Sequence, residues 1–260
     1  YMKTLAIGDN CIDHYVNRGE KYVGGCSVNF AVYMCQLGAE SAYLGAVGND
    51  ENGRLVLKEL QNAKVDVSKV HVMEGETAVT EVDLEGNDRK FLAYREGVLK
   101  QFKLNKTDED LIQRVDLIHT SVYGNIDEKV ADLSRNAVLC YDFGNKLDYQ
   151  NREQVLNAVQ YAFFSYTKED EFILDYLKNA YRNSIKCVIA TLGENGSIAY
   201  DGEKFYRHGI RKVETVDTIG AGDSFIAGFM YAKMNGEDIL SCLWAGAAKA
   251  EETIQHFGAF

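Results

Sequence analysis

The 260-residue chain contains no proline. Average usage of about 5% would supply roughly a dozen, so its turns must rest on glycine, asparagine and aspartate. The six cysteines (Cys11, Cys26, Cys35, Cys140, Cys187, Cys242) form no C-x-x-C pair, and none stands at metal-ligand spacing from one of the five histidines. That argues against a cysteine–histidine metal site and for reduced, mostly buried thiols acting as small hydrophobes. No H-E-x-x-H occurs. No apolar run reaches the roughly 18 residues of a membrane span, and the opening "YMKTLAIGDN" makes a poor signal peptide. Positive charge is short: 28 Lys and Arg face 39 Asp and Glu, for a net charge of −11. This speaks against a nucleic-acid or anionic-membrane partner. The expectation is a soluble, cytoplasmic protein.

What is present is a core-forming chain, 46% hydrophobic and long enough for one large domain. "TLAIGD" reads as a strand, "SVNFAVYMCQLG" as a helix stopping at Gly38, "SAYLGAVG" as a second strand and "ENGRLVLKELQNA" as a second helix. "TAVTEVDLEGNDRKFLAYREG" alternates in two runs joined by "EGND", the mark of a hairpin. Thr107 and Asp110 have capping-box-like spacing ahead of a further helix. "DLIHTSV", "AVLCYDF", "YAFFSY" and "KCVIATLG" are apolar strands between charged helical stretches, and helices over about Ala221–Met234 and Glu237–His256 close the chain. This alternation predicts an α/β fold with a mostly parallel sheet flanked by helices. Ligands of such folds sit at the carboxyl ends of the strands. The hairpin breaks the rhythm and is expected, with the stretch around Tyr15–Val23, to form a small β-sheet lid over the site, built from about 14–24 and 72–98.

The most informative stretch is "VDTIGAGDSFIAGF", residues 216–229. A glycine-rich turn feeding a helix exposes backbone N–H groups at the positive end of the helix dipole, and glycine lets that backbone approach a phosphate closely. An aspartate directly after it would repel an anion that was merely bound. As a general base, however, Asp223 would take the proton of an acceptor hydroxyl while the amides stabilise charge on a transferring phosphoryl group. The competing reading is a glycine-lined helix contact with Asp223 as an ordinary first-turn aspartate. The stretch is neither the G-x-G-x-x-G dinucleotide fingerprint nor G-x-x-x-x-G-K-[ST], so an oxidoreductase is disfavoured.

"DTIGAGDSFIAGF" closely resembles the C-terminal signature of the ribokinase-like (PfkB-type) carbohydrate kinases. "GGCSVNFA" is similar to that family's double-glycine motif, "TLGENGS" to its nucleotide turn, and "GAAKAEETIQHFGA" to the segment beside the nucleotide base. The order matches over nearly the whole chain, and the resemblance implies a single ribokinase-like domain over 1–260. It implies Asp223 as base and the backbone of Gly220, Ala221 and Gly222 as anion hole. Asp13, Gly25 and Asn29 would hold the sugar, and Ser165, Thr191, Gly193 and Gly196 the ATP site. The cofactors implied are ATP and Mg²⁺. Asp217 would order the loop, around a monovalent cation as in some relatives, or simply shape the helix entry. The lid implies a homodimer through its edges.

One departure is clear. The family's N-x-x-E becomes "SYTK" here, with Ser165 and Lys168 in the two key places, leaving the metal ligands unknown. Either Glu169 substitutes by a shifted register, or Thr167 and Asp170 cap a helix. Within the family, "GDNCID", Ser165 and "TIQHFGA" look most like fructoselysine 6-kinases. That implies transfer of the ATP γ-phosphoryl group to a primary hydroxyl, O6, of a fructosyl-amine. Asp9 would then meet the substrate's ammonium or else only order its turn, and Arg95 would meet a carboxylate or else lie idle on the lid. The alternatives are a fructokinase, a 2-keto-3-deoxygluconate kinase, or a non-catalytic sugar or nucleotide sensor.

Overall fold

The computed structural model describes residues 1–85 and 88–260, and for residues 84, 85, 88 and 89 the backbone alone. In chain order the first elements are β1 (Lys3–Ile7), β2 (Cys11–Tyr15), β3 (Glu20–Gly24), α1 (Cys26–Gln36), β4 (Glu40–Leu44), β5 (Ala46–Gly48) and α2 (Glu51–Asn62). There follow β6 (His71–Met73), β7 (Val79–Glu85), β8 (Asp88–Arg95), α3 (Glu109–Ile112), β9 (Leu117–Ser121), α4 (Val130–Asn136), β10 (Val138–Asp142) and α5 (Arg152–Leu156). The last are β11 (Tyr161–Ser165), α6 (Glu171–Ala180), β12 (Cys187–Thr191), β13 (Ser197–Tyr200), β14 (Phe205–His208), α7 (Ala221–Met234) and α8 (Ile239–Thr253).

Eight strands form the central sheet in the order β14-β13-β12-β11-β10-β9-β1-β4. It is parallel from β4 to β12, and at the other edge β13 alone runs against the rest, pairing antiparallel with both β12 and β14. Strands such as β9 and β11 are buried along nearly their whole length because helices cover both faces. One face packs Phe30, Phe229 and Leu243 from α1, α7 and α8; the other packs Val130, Leu156, Ile173 and Leu177 from α4, α5 and α6. Among the described residues, no helix is long and apolar enough to cross a membrane.

Side chains start the helices where the sequence offers aspartate. Asp50 accepts from Gly53 N at 2.8 Å, Asp170 from Ile173 N at 3.0 Å and Asp238 from Ser241 N at 2.7 Å. The capping box ahead of α3 is made by Asn105 and Asp108 rather than Thr107 and Asp110. Asn105 Oδ1 takes the Thr107 N–H at 2.8 Å, and Asp108 returns the contact to Asn105 N at 2.9 Å. "SAYLGAVG" is two strands, not one. A Cβ at Gly45 would stand 2.1 Å from the Tyr43 hydroxyl and 2.5 Å from Gly8 O. The chain turns there, and β5 leaves the central sheet to pair with β6.

A four-stranded sheet, order β3-β2-β7-β8, stands apart from the central one. It takes in Cys11 and Ile12, ahead of the expected start at 14, and begins again at Val79, because residues 71–73 are committed to β5. β7 and β8 are the antiparallel pair expected of the hairpin; Gly86 and Asn87 of its "EGND" turn lie outside the described residues.

Candidate active site

Two clefts meet at the N-terminus of α7. Gly220 is its N-cap, with φ 75°, and no side chain caps the helix. A Cβ at Gly220 would fall 2.3 Å from the Tyr33 hydroxyl, so the left-handed turn and the close approach both require glycine. At Gly222 a Cβ would meet nothing within 4 Å; the space beside that backbone is open. Gly228, one helical face further on, has a different duty. Its Cβ would sit 2.5 Å from Ala245 O, so this glycine lets α7 and α8 pack closely. The glycines of the signature thus divide between a turn, an open approach and a helix contact.

The first cleft, of about 510 Å³, lies between the small sheet and the carboxyl ends of the central strands. Asp9, Asp13, Gly25, Asn29, Gly220 and Asp223 all line it. Asp223, on the first turn of α7, is buried and accepts a 2.8 Å hydrogen bond from Asn29 Nδ2 on α1, joining residues 194 apart in sequence. Burial, and after it the nearby carboxylates of Asp142 and Asp9, push its pKa up to about 7, against the pull of Asn29 and Cys26. A carboxyl poised there suits proton transfer near neutrality.

Asp9 is engaged in holding α1. Its Oδ2 accepts from Cys26 N at 2.8 Å, and its Oδ1 accepts from Ser27 N and Ser27 Oγ, each at 3.2 Å. Gly25, the N-cap of that helix at φ 111°, would bring a Cβ within 2.8 Å of Asn10 Cα. Asp217 likewise spends both oxygens on backbone, Oδ1 on Ile219 N and Oδ2 on Gly258 N, each at 3.0 Å. It ties the turn before α7 to the C-terminal segment. Arg95 is not brought to the cleft; its guanidinium bonds Glu81 at 3.0 Å and stands 3.8 Å from Glu76.

The second cleft, about 540 Å³, is lined by Ser165, Thr191, Gly193 and Gly196 from the ends of β11 and β12, by Ala221 and Gly222, and by Ala247, Ala250 and Ile254 from α8 and its end. Ser165 and Thr191 hydroxyls are 3.3 Å apart. Gly196, at φ 89°, would drive a Cβ to 2.2 Å from His208 O. In the departing segment Glu169 is paired with Arg207 at 2.6 Å, and Asp170 caps α6 and accepts from the Tyr166 hydroxyl at 2.9 Å. Glu169 is thus turned to Arg207 and Asp170 to the start of α6.

Sequence reasoning missed several residues here. Asp142, the last residue of β10, has an oxygen within 4.8 Å of ligand atoms of both Asp223 and Cys26. It accepts from Gly144 N at 2.7 Å, and burial first, then Asp9, raises its pKa to about 6. β10 lies between β9 on the first cleft's side and β11 on the second's, so Asp142 stands where the two meet. The available signal was a carboxylate at the end of an apolar parallel strand. Cys26, Asn10, Thr80, Phe91, Tyr94 and Tyr123 also line the first cleft and carried no signal.

The pfkB family carbohydrate kinase profile matches residues 4–260. The chain belongs to this PfkB family of ATP-dependent carbohydrate kinases. It is 38% identical over 261 residues to the fructoselysine 6-kinase of Escherichia coli K12, covering all of both chains. It is 34% identical over 264 residues to the fructosamine kinase FrlD of Bacillus subtilis 168, covering all of this chain and 93% of that one. The fold matches that of the Arabidopsis thaliana ribokinase complexed with ribose and ATP, with a TM-score of 0.86 at 20% identity, over 99% of this chain and 93% of that one. The PfkB chain therefore has the ribokinase-like fold expected, with its smaller sheet standing over the first cleft.

Proposed function

We propose that this PfkB kinase transfers the γ-phosphoryl group of ATP to O6 of a fructosyl-amine such as fructoselysine. The observation that carries the reading is the α7 N-terminus shared by two clefts: Gly220 and Asp223 face one, Ala221 and Gly222 the other. The sugar occupies the first cleft and ATP the second. Asp223 takes the hydroxyl proton as that oxygen bonds to the γ-phosphorus; the bridging P–O bond breaks and its electron pair leaves on ADP. The amides of Gly220 and Gly222, with that of Ala221 once it leaves its 3.3 Å bond to Thr218 O, stabilise the charge in transit.

Charge selects among acceptors. Asp13 and Asp223 line the sugar cleft, where the Asp9 carboxylate is spent on the α1 amides, and its described lining residues include no lysine, arginine or histidine. Such a site favours a substrate bearing an ammonium and opposes a sugar acid. Arg95, held by Glu81 of its own sheet and standing near Glu76, does not alter that balance. The names of the two relatives agree with an amine-linked sugar.

Mg²⁺ would reach this enzyme on the nucleotide phosphates, where it neutralises their charge. The residues from Ser165 to Asp170 do not fit a protein-borne magnesium site, and no step above is routed through the ion. Asp217 orders the loop through two backbone amides, and a monovalent cation bound there would add to that order; slower turnover in choline than in potassium salts is the result that would support the ion, and equal rates would exclude it. Six free thiols suit a reducing cytoplasm. The open edges of the small sheet, β3 and β8, offer the surface for a homodimer. The test of function is ³¹P NMR of the product formed from ATP and fructosyl-lysine. A monophosphate ester on C6 is expected; nucleotide turnover without sugar phosphate would refute the reading.

A further inference from the structure

Three aromatic rings at the mouth of the first cleft are more exposed than large apolar side chains usually are. Phe91 is 64% exposed, Tyr94 51% and Tyr123 51%, yet all three line the cleft. They are arranged by the strand register. Asp13 pairs with Tyr22 on one side and Thr80 on the other, and Thr80 in turn pairs with Tyr94. Directly paired residues share a face, and all four line the cleft. Phe91 would point away from Tyr94 in a regular strand, since the two are three residues apart. A register shift corrects this. Val82 pairs with Phe91 but Glu81 pairs with Ala93, so Leu92 is an extra residue and Phe91 returns to the face of Thr80, Val82 and Tyr94. Tyr123 comes from the loop after β9 on the central sheet. Tyr94's phenol is pushed up to about 12 by burial first, and also by Cys11, Glu96, Asp9 and Tyr123, in keeping with its place beside the acidic floor.

One sugar ring can lay its C–H face on a single aromatic ring, so three rings at the mouth leave apolar surface for a group beyond the sugar. We propose that Phe91 and Tyr94 on the small sheet, with Tyr123 opposite, form a slot for the aliphatic arm of the amine component, so that the enzyme selects fructosyl-amines by arm length. This rests on the fructosyl-amine reading above. The acidic floor takes the sugar and the ammonium; methylenes leaving the nitrogen lie across the rings, and the far end of the amine reaches solvent.

The test is kcat/KM for fructosyl-methylamine, fructosyl-propylamine and fructosyl-pentylamine, on the parent and on Phe91→Ala and Tyr94→Ala. Each added methylene should raise parental kcat/KM about two- to four-fold, the value of burying one such group. Each substitution should flatten that dependence, whatever it does to the absolute rate. The parental series alone decides the matter if a variant fails to fold. Rates independent of arm length on the parent would overturn the slot and leave the fructosyl-amine activity standing. So would a slope that survives both substitutions. Phosphorylation of plain sugars with none of the three amines would instead overturn the substrate assignment beneath it.

Discussion

Asp223 is expected to be both the catalytic base and a cost to stability, and the two can be read separately. Its raised pKa means the folded protein holds a proton between about pH 4 and 7 that the unfolded chain releases. Stability therefore falls as pH rises through that window. Asp223→Asn should remove this fall and stabilise the protein at pH 8, by something on the order of 2–4 kcal/mol, while lowering kcat about 10²–10⁴-fold. Thermal unfolding and turnover on one preparation check both; parental kcat would exclude the base. In the parent, kcat/KM should rise with pH and level off above about 7, as the base loses its proton. Asp142 adds like charge beside Asp223. Asp142→Asn should therefore move that limb to lower pH, and an unmoved limb would count against coupling between the two carboxylates. Asp9 makes a different prediction from the one its sequence position suggests. Because its carboxylate holds the Cys26 and Ser27 amides, Asp9→Asn should loosen α1 and the Asn29 it carries. Efficiency on fructose and on fructosyl-lysine should then drop together, their ratio staying within about three-fold.

At the scale of elements, the signature helix was legible because its chemistry is local. A glycine turn, an open backbone and a first-turn acid follow one another in "GAGD", and the helix expected from Ala221 to Met234 is there with those limits. Gly222→Val tests the open approach. The position has ordinary helical backbone and empty space for the side chain, so the variant should fold with a loss below about 1 kcal/mol. Phosphoryl transfer should nevertheless fall at least 100-fold, as a branched side chain fills the approach to the amides. A folded variant with parental kinetics would make this turn structural. Asp142 was hidden for the opposite reason. Nothing around it in sequence marks it, and its meaning comes from strand order, which sets β10 between the two clefts. The break at Gly45 and the extra residue Leu92 also depend on contacts with distant backbone, which no local pattern displays. For Arg95 the structure favours the second of the two readings its sequence left open, since its guanidinium is satisfied by Glu81 on the neighbouring strand.

Taken whole, the molecule places an acidic, aromatic-rimmed cleft, which we assign to the sugar, and a second cleft, which we assign to ATP, on the two sides of one helix terminus. Membership of the family sets the reaction class, and in the reading proposed above the charge of the first cleft sets the acceptor. The relation between the two is tested by one comparison, kcat/KM for fructosyl-lysine, fructose and 2-keto-3-deoxygluconate with saturating ATP. A charge-assisted contact to the ammonium is worth about 1.5–3 kcal/mol, so fructosyl-lysine should exceed fructose at least ten-fold, with the keto-acid below both. Equal efficiencies on fructosyl-lysine and fructose, or preference for the acid, would contradict the account.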